Sequence, residues 1–497
     1  MTQKLIIADH IITGINADGS PAIMDDTAIL VEGSRISEIG PTADMRRAYS
    51  GAEEIGGRGR VAMPGLINAH HHVGLTPFQL GARDQPLELW FPERLAMRDV
   101  DPRLDTLYSA FEMLASGVTT VQHLHSRAPG DTEAVLSRAD AIIGAYTDLG
   151  MRASYSFAFR DQCRMVYAAD EDFIATLPAE LRGPVWTYLS SFGLPLEEQI
   201  AVFHSLQDRW ADQDLIGIQL APSNLHWLSD KALESAARLA DESGAPMHMH
   251  LLETPYQAEY ARRRTGGSAL AHVDSFGLLG PDLTVGHGVW MTDDDLELVA
   301  DRGVCLCHNC SSNLRLKSGR ADLNGFLSSG VPVALGIDEA GLNDDRDMLQ
   351  EMRLAMTLHR PAGHDAPFPS ASDIFRMATE HGAATTPFGQ SIGKIARGRF
   401  ADVVLLNWNA LTYPYQDPAI PLVDVILRRA KPASVETVLV GGAIVYHQGT
   451  FPAVDKAAVL DQLSQHLRRQ KAPAEVEQRN LGYALLDPVR DFYNDWL

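Results

Sequence analysis

Val61-Ala62-Met63-Pro64-Gly65-Leu66-Ile67-Asn68-Ala69-His70-His71-His72 is an apolar run that ends in three histidines. In an extended strand alternate side chains share a face, so His70 and His72 point one way and His71 the other. Two imidazoles so placed can share one ion, with zinc–nitrogen bonds of about 2.0–2.1 Å. The same construction returns along the chain in GVTTVQHLHS (from Gly117), MRASYSFAF (from Met151), LIGIQLAPS (from Leu215) and APMHMHLLE (from Ala245). LTVGHGVW (from Leu283), GVCLCHNC (from Gly303) and VPVALGID (from Val331) complete the set. Helix-period stretches such as DKALESAARLADESG and DMLQEMRLAMTLH separate the runs. Eight repeats of strand then helix predict an α/β chain closed as a (β/α)₈ TIM-type barrel. The polar residues gather where each run ends, the face on which barrel active sites assemble.

Both chain ends have a different texture. Lys4 to Ile12 and AILVEGSRISEIG (Ala28 to Gly40) read as strands, the latter turning at Glu32-Gly33-Ser34. Phe400 to Leu406 and TVLVGGAIVYHQG read likewise, with Gly441-Gly442 as a tight hairpin turn. The expected division is residues 1–62 and 392–451 as two parts of one small β-sandwich, residues 63–391 as the barrel, and residues 452–497 as a helical tail. In that tail Ala457, Leu460, Leu463 and Leu467 fall on one helical face.

Lys and Arg number 42 against 64 Asp and Glu, a net charge of -22, which opposes partnership with nucleic acid or an anionic membrane. No apolar stretch has the roughly 20 residues of a membrane span. MTQKLIIADHIITG has no signal-like apolar segment, and four cysteines give no disulfide framework. The expectation is a cytoplasmic enzyme acting on a small molecule. A homo-oligomer, dimer or tetramer, is expected, with the tail helix available for an interface.

His248 and His250 repeat the spacing of His70 and His72, and Glu253 follows. His250, nearer the strand end, is the expected ligand, and Glu253 can shuttle a proton between water and a leaving group. His287 and Asp338 close the two runs VGH and ALGID. A carboxylate delivered by an apolar strand is costly unless paired, hydrogen-bonded or bound to metal. Cys307 and Cys310 flank His308 as a single C-x-x-C, which without a second pair reads as buried thiols rather than a structural zinc site.

PGLINAHHH, HLLE, GH, HNCSSN and LGID, in that order, resemble the amidohydrolase superfamily in its cytosine deaminase-like and adenosylhomocysteine deaminase-like branch, which includes chlorohydrolases. GKIARGRFADVVLLNW, from Gly393, is similar to the segment where that family re-enters its β-sandwich. The resemblance implies His70, His72, His250 and Asp338 as metal ligands, with Glu253, His287 and Asp338 as the catalytic groups. RDQPLELW, with Trp90, is similar to the family's loop over the substrate. HNCSSNLRLKSG, with His308, is similar to its segment after strand 7, although Cys310 stands where proline is usual.

LIGIQLAPS has no lysine to bridge two metals, so one divalent ion is expected, zinc first, with iron or manganese as alternatives. The implied reaction is hydrolytic deamination of an amino-substituted N-heterocycle by metal-activated water, releasing ammonia. Trp90, His125, Arg160, Gln162, Asn224, His308 and Glu339 are the candidate substrate contacts. An amide, urea or carbon–halogen hydrolase on the same metal site is the alternative, and a non-catalytic barrel binding protein the remote one.

Overall fold

The structure, a computed structural model, describes residues 3–497. The chain opens with an antiparallel meander, β1 (Gln3–Ile15), β2 (Pro21–Glu32) and β3 (Arg35–Pro41), the last two joined at Gly33-Ser34. β4 (Glu53–Gly56) and β5 (Arg60–Pro64) then join β1 in parallel. Strand β1 is apolar on both faces, and both are covered. Leu5 and Ile7 pack with Ala28, Leu30 and Met45, whereas Ile6 and Ile11 pack with Ile29, Val403 and Leu405.

At Gly65 the chain leaves this sheet and enters a second one. Its staves are β6 (Leu66–His71), β7 (Val118–His125), β8 (Arg152–Phe159), the interrupted pair β9 (Ile216–Ile218) and β10 (Ala221–Pro222), β11 (Met247–Leu251), β12 (Leu283–His287), β13 (Cys305–His308) and β14 (Val333–Leu335). All neighbours are parallel. Bridges Leu220↔Met247 and Asn224↔His250 join the fourth stave to the fifth, and His71↔Asp338 joins the last to the first. The ring is closed, which is the expected barrel. Every residue of β6 and β7 is buried, as befits parallel strands covered on both faces.

The covering helices carry their own start and stop signals. Asp101 accepts from the N–H of Leu104 to begin the helix Pro102–Ala115. Ser229 does the same for Asp230–Ser243, and Gly244, at φ 63°, ends it in the left-handed conformation.

After the barrel the chain returns to the first sheet. β15 (Val403–Asn407) pairs antiparallel with β5, followed by β16 (Val435–Val440) and β17 (Ala443–His447). The strand expected from Phe400 starts at Val403, because Phe400 and Ala401 donate their N–H groups to the carbonyls of Ser391 and Ser34. A buried ion pair, Arg152 Nε to Asp402 Oδ2 at 2.9 Å, ties β8 of the barrel to the residue that precedes β15. The Arg152 guanidinium also lies over the Phe400 ring at 4.1 Å.

The tail is helical. In Lys456–Arg468 the buried residues are Val459 and Leu463, while Ala457 is exposed. The expected face is therefore rotated about the helix, since the contact is with the helix Pro102–Ala115 and with Phe451. Helices Pro473–Ala484 and Leu486–Tyr493 fold back onto the helix Leu87–Leu95. Leu95, Tyr167, Leu485, Val489 and Tyr493 share one apolar cluster there. Among the described residues no helix is long and apolar enough to cross a membrane.

Candidate active site

Four strand ends converge at the barrel mouth. The Nε2 atoms of His70 and His72 lie 3.0 Å apart, and those of His72 and His250 3.2 Å apart. Oδ1 of Asp338 is 3.2 Å from His72 Nε2 and 3.6 Å from His70 Nε2. His71 points away, to Ser109 and His123, as strand alternation requires. Gly286 makes room for the cluster: a Cβ there would come within 3.0 Å of His70 Cε1 and 3.1 Å of His248 Nε2.

The hydrogen bonds behind these rings decide which nitrogens are free. His72 Nδ1 donates to the carbonyl of Leu124 at 2.6 Å, and His250 Nδ1 to that of Ser223 at 3.0 Å. Each Nε2 is then an unprotonated acceptor, and the two face one another. Opposed lone pairs at 3.2 Å repel unless a cation sits between them. The nitrogen–oxygen donor set fits zinc, which accepts histidine and carboxylate together. His70, His72 and His250, and likewise His70, His287 and Asp338, each bring three ligand atoms within 4.8 Å of one another.

Burial, together with the neighbouring imidazoles, holds His70 and His250 well below histidine's ordinary value. Both are neutral, the state a metal requires. Burial pushes Asp338 upward, but His72, His287, the Ser312 hydroxyl and His250 outweigh it and hold it below the usual carboxylate range. Glu253 behaves in the opposite way. Burial, then the charges of Asp338 and Glu88, push it well above the usual range, so that it carries a proton. Its Oε1 lies 3.7 Å from His287 Nδ1, and His287 Nε2 lies 3.8 Å from Asp338 Oδ2.

Three residues at these strand ends hold a left-handed backbone: Leu252 at φ 52°, His287 at 73° and Asp338 at 62°. Such conformations cost non-glycine residues on the order of 1–3 kcal/mol each and cluster at functional sites. Here they turn Glu253, His287 and Asp338 into one cleft. Its volume is about 460 Å³, part of it open to solvent. Trp90, Phe91, Arg94, Asn224, Trp227, His250, Gln257, Leu316 and Glu339 also line it.

Of the other candidate substrate contacts, Trp90, Asn224 and Glu339 face this cleft, Glu339 paired with Arg94 at 2.8 Å. Arg160 lines an adjoining cavity, about 560 Å³, which shares Phe91, Arg94, Ser126 and Trp227 with the cleft. His125 Nδ1 meets the Tyr155 hydroxyl at 2.8 Å, and the ring borders another neighbouring cavity. Gln162 and His308 are turned elsewhere. The Gln162 amide donates to the carbonyls of His226 and Leu228, and His308 Nε2 meets His359 Nε2 at 3.0 Å. Cys310 lies with that histidine pair.

Phe91, Arg94 and Trp227 escaped the sequence reading, since no periodicity marks a residue that reaches the cleft from a covering helix or loop. Phe91 and Arg94 follow Trp90 on the helix Leu87–Leu95, and the Arg94 guanidinium lies 5.0 Å from the Trp90 ring centre. Trp90 was the available signal for both.

The sequence model described as the amidohydrolase family matches residues 61–445, and one for an imidazolonepropionase-like composite domain of bacteria matches residues 28–49. The chain is 29% identical over 448 residues to a 5'-deoxyadenosine deaminase of Methanopyrus kandleri, covering 88% of this chain and 94% of that one. It is 28% identical over 446 residues to a 5-methylthioadenosine/S-adenosylhomocysteine deaminase of Syntrophobacter fumaroxidans, covering 89% and 92%. Among solved structures, an adenosine deaminase from Xanthomonas campestris with bound zinc superposes with a TM-score of 0.79 at 27% identity, covering 94% of this chain and 98% of that one. With its closed barrel, its convergent histidines and a match across most of its length, the chain belongs to the amidohydrolase family.

Proposed function

We propose that this protein is a mononuclear metal-dependent aminohydrolase that removes the exocyclic amino group of an adenine-type heterocycle as ammonia. The observation that carries the reading is the meeting of two oppositely tuned carboxyl groups, Asp338 ionised and Glu253 protonated, beside a set of unprotonated histidine nitrogens. The relatives named for adenosine-type substrates, and the zinc of the Xanthomonas neighbour, support the same substrate class and metal.

In this reading His70, His72, His250 and Asp338 hold one zinc ion. When bound, zinc supplies an acidified water, its pKa lowered far below that of bulk water to about 7. Asp338 accepts a proton from the attacking water. Glu253 gives its proton to the ring nitrogen next to the attacked carbon, and His287 fixes the orientation of the reacting centre. The aromatic faces of Trp90, Phe91 and Trp227 exclude water and stack on the heterocycle. Asp338 passes the proton it took from the water to the amino group, and collapse of the tetrahedral carbon then expels ammonia.

Arg160 extends the reading to the rest of the substrate. Its guanidinium lies 5.4 Å from the Phe192 ring centre and 5.5 Å from that of Trp227, and among the described residues it pairs with no carboxylate. Burial, with Arg164, Arg94 and Arg127 nearby, lowers it to about 10. Arg164 has Asp170 as a partner and Arg94 has Glu339, so Arg160, with Arg127 on the same cavity, remains for an anionic substituent. An adenosine derivative whose tail ends in a carboxylate fits this cavity.

The strand pairing supports dividing the chain into a β-sandwich from residues 1–62 and 392–451, a barrel from 63–391 and a tail from 452–497. Four free buried thiols support a cytoplasmic setting. The exposed Tyr413, Tyr415 and Ile420 on one segment support self-association as a dimer or tetramer. Metal analysis with an ammonia-release screen of adenosine derivatives tests the activity. One zinc per chain and release from at least one amino-purine are expected, and metal-independent turnover would overturn the proposal.

A further inference from the structure

His70 is the one ring of the histidine cluster whose far nitrogen meets another imidazole rather than a carbonyl. Its Nδ1 lies 2.8 Å from His248 Nε2, and His248 Nδ1 lies 3.0 Å from the amide nitrogen of Gln122. All three side chains are fully buried, and Gln122 Oε1 has no hydrogen-bond partner. A neutral imidazole has one N–H, so the direction of this chain can be followed atom by atom.

The outer end of the chain is the Gln122 carboxamide, which can face His248 Nδ1 with either its nitrogen or its oxygen. A metal on His70 Nε2 requires one order: Nδ1–H of His70 donating to His248 Nε2, and Nδ1–H of His248 donating to an oxygen. The partnerless Gln122 Oε1 is that oxygen. The two ends of a carboxamide are nearly isosteric, so Oε1 can face His248 Nδ1 without displacing a neighbour.

We infer that Gln122 and His248 form a positioning relay that holds His70 in the Nδ1–H tautomer and so leaves its Nε2 free for the metal. The inference rests on the metal site of the proposed function. Both rings are neutral in this arrangement, each carrying one N–H. Gln122 touches neither metal nor substrate and acts only through the rings it orients.

The test measures zinc affinity of the full chain by competition with a chromophoric chelator, for wild type, Gln122→Leu and Gln122→Glu. Leucine removes the acceptor, and zinc affinity is expected to fall about 10–100-fold, the usual effect of losing a partner behind a metal-bound histidine. Glutamate can only accept, so it is expected to hold zinc at least as tightly as wild type. A leucine variant equal to wild type, or a glutamate variant as weak as leucine, overturns the relay. A wild-type chain that binds no zinc overturns the proposed function instead. Neutron diffraction of the zinc-loaded wild type is the second measurement: deuterium on His248 Nδ1 facing Gln122 Oε1 is expected, and deuterium on His248 Nε2 overturns the relay whatever the variants do.

Discussion

The Ser312 hydroxyl donates to Oδ2 of Asp338 at 2.6 Å, leaving Oδ1 of the same carboxylate to face His72 and His70. One oxygen is thus held by the helix that follows β13, and the other is offered to the histidine cluster. Asp338→Asn keeps the shape and removes the proton acceptor, so ammonia release should fall by about 10²–10⁴-fold. Ser312→Ala loosens the carboxylate without removing it and should cost about tenfold, the scale of one hydrogen bond to a charged group. Steady-state assays of both variants check the order of the two effects.

Chelation should abolish activity, and added zinc should restore it. The metal binds the folded state alone, so at free zinc about 100-fold above its dissociation constant the fold should gain about 2.7 kcal/mol. Thermal unfolding with and without a chelator reads this as a shift in Tm. An unchanged Tm together with unchanged activity would exclude the metal site.

Arg160→Leu should separate substrates by the charge of their tails. Loss of a charge-assisted contact worth about 1.5–3 kcal/mol lowers kcat/KM for S-adenosylhomocysteine about 10–100-fold. The neutral 5'-deoxyadenosine should be affected far less. Equal losses for both would remove Arg160 from tail recognition.

Glu351 gives the fold a pH dependence of its own. Burial raises it to about 7, although Ser311 donates both its hydroxyl and its N–H to the carboxyl group. Its folded value lies above the unfolded one, near 4.3. Its contribution is therefore fully present below that unfolded value and is lost as pH rises through about 7. Glu351→Gln is neutral at every pH and keeps an acceptor for Ser311. Relative to wild type, the variant should gain stability between pH 4 and pH 8, by on the order of 3 kcal/mol at most. Denaturant titrations at the two pH values measure the difference.

That His70, His72, His250 and Asp338 would meet could be read from the sequence because each interrupts an apolar run where it ends, and strand alternation selects the face. The same rule fails one residue further on. Cys307 shares the barrel interior with His70 beside Gly336, so the next side chain, His308, points outward to His359. Gln162 follows the end of β8 in irregular backbone, where no alternation applies, and its amide is spent on two carbonyls. Arg94 was invisible for another reason. It reaches the cleft from a covering helix that the tail helices hold in place, and that arrangement depends on contacts distant in sequence. The eight-fold repeat of strand and helix was local and periodic, and the barrel was correspondingly plain.

β5 is flanked by β1 on one side and by β15 on the other, and it runs through Gly65 into the strand that carries His70 and His72. During translation, Val403 leaves the ribosome only after the whole barrel has been made. Until then β5 presents an unpaired edge, and the base of the first barrel strand is anchored on one flank only. A message broken before that point yields a product with an open sheet edge, headed for aggregation or proteolysis rather than for partial activity, so the last strands to be synthesised license the first histidines to work.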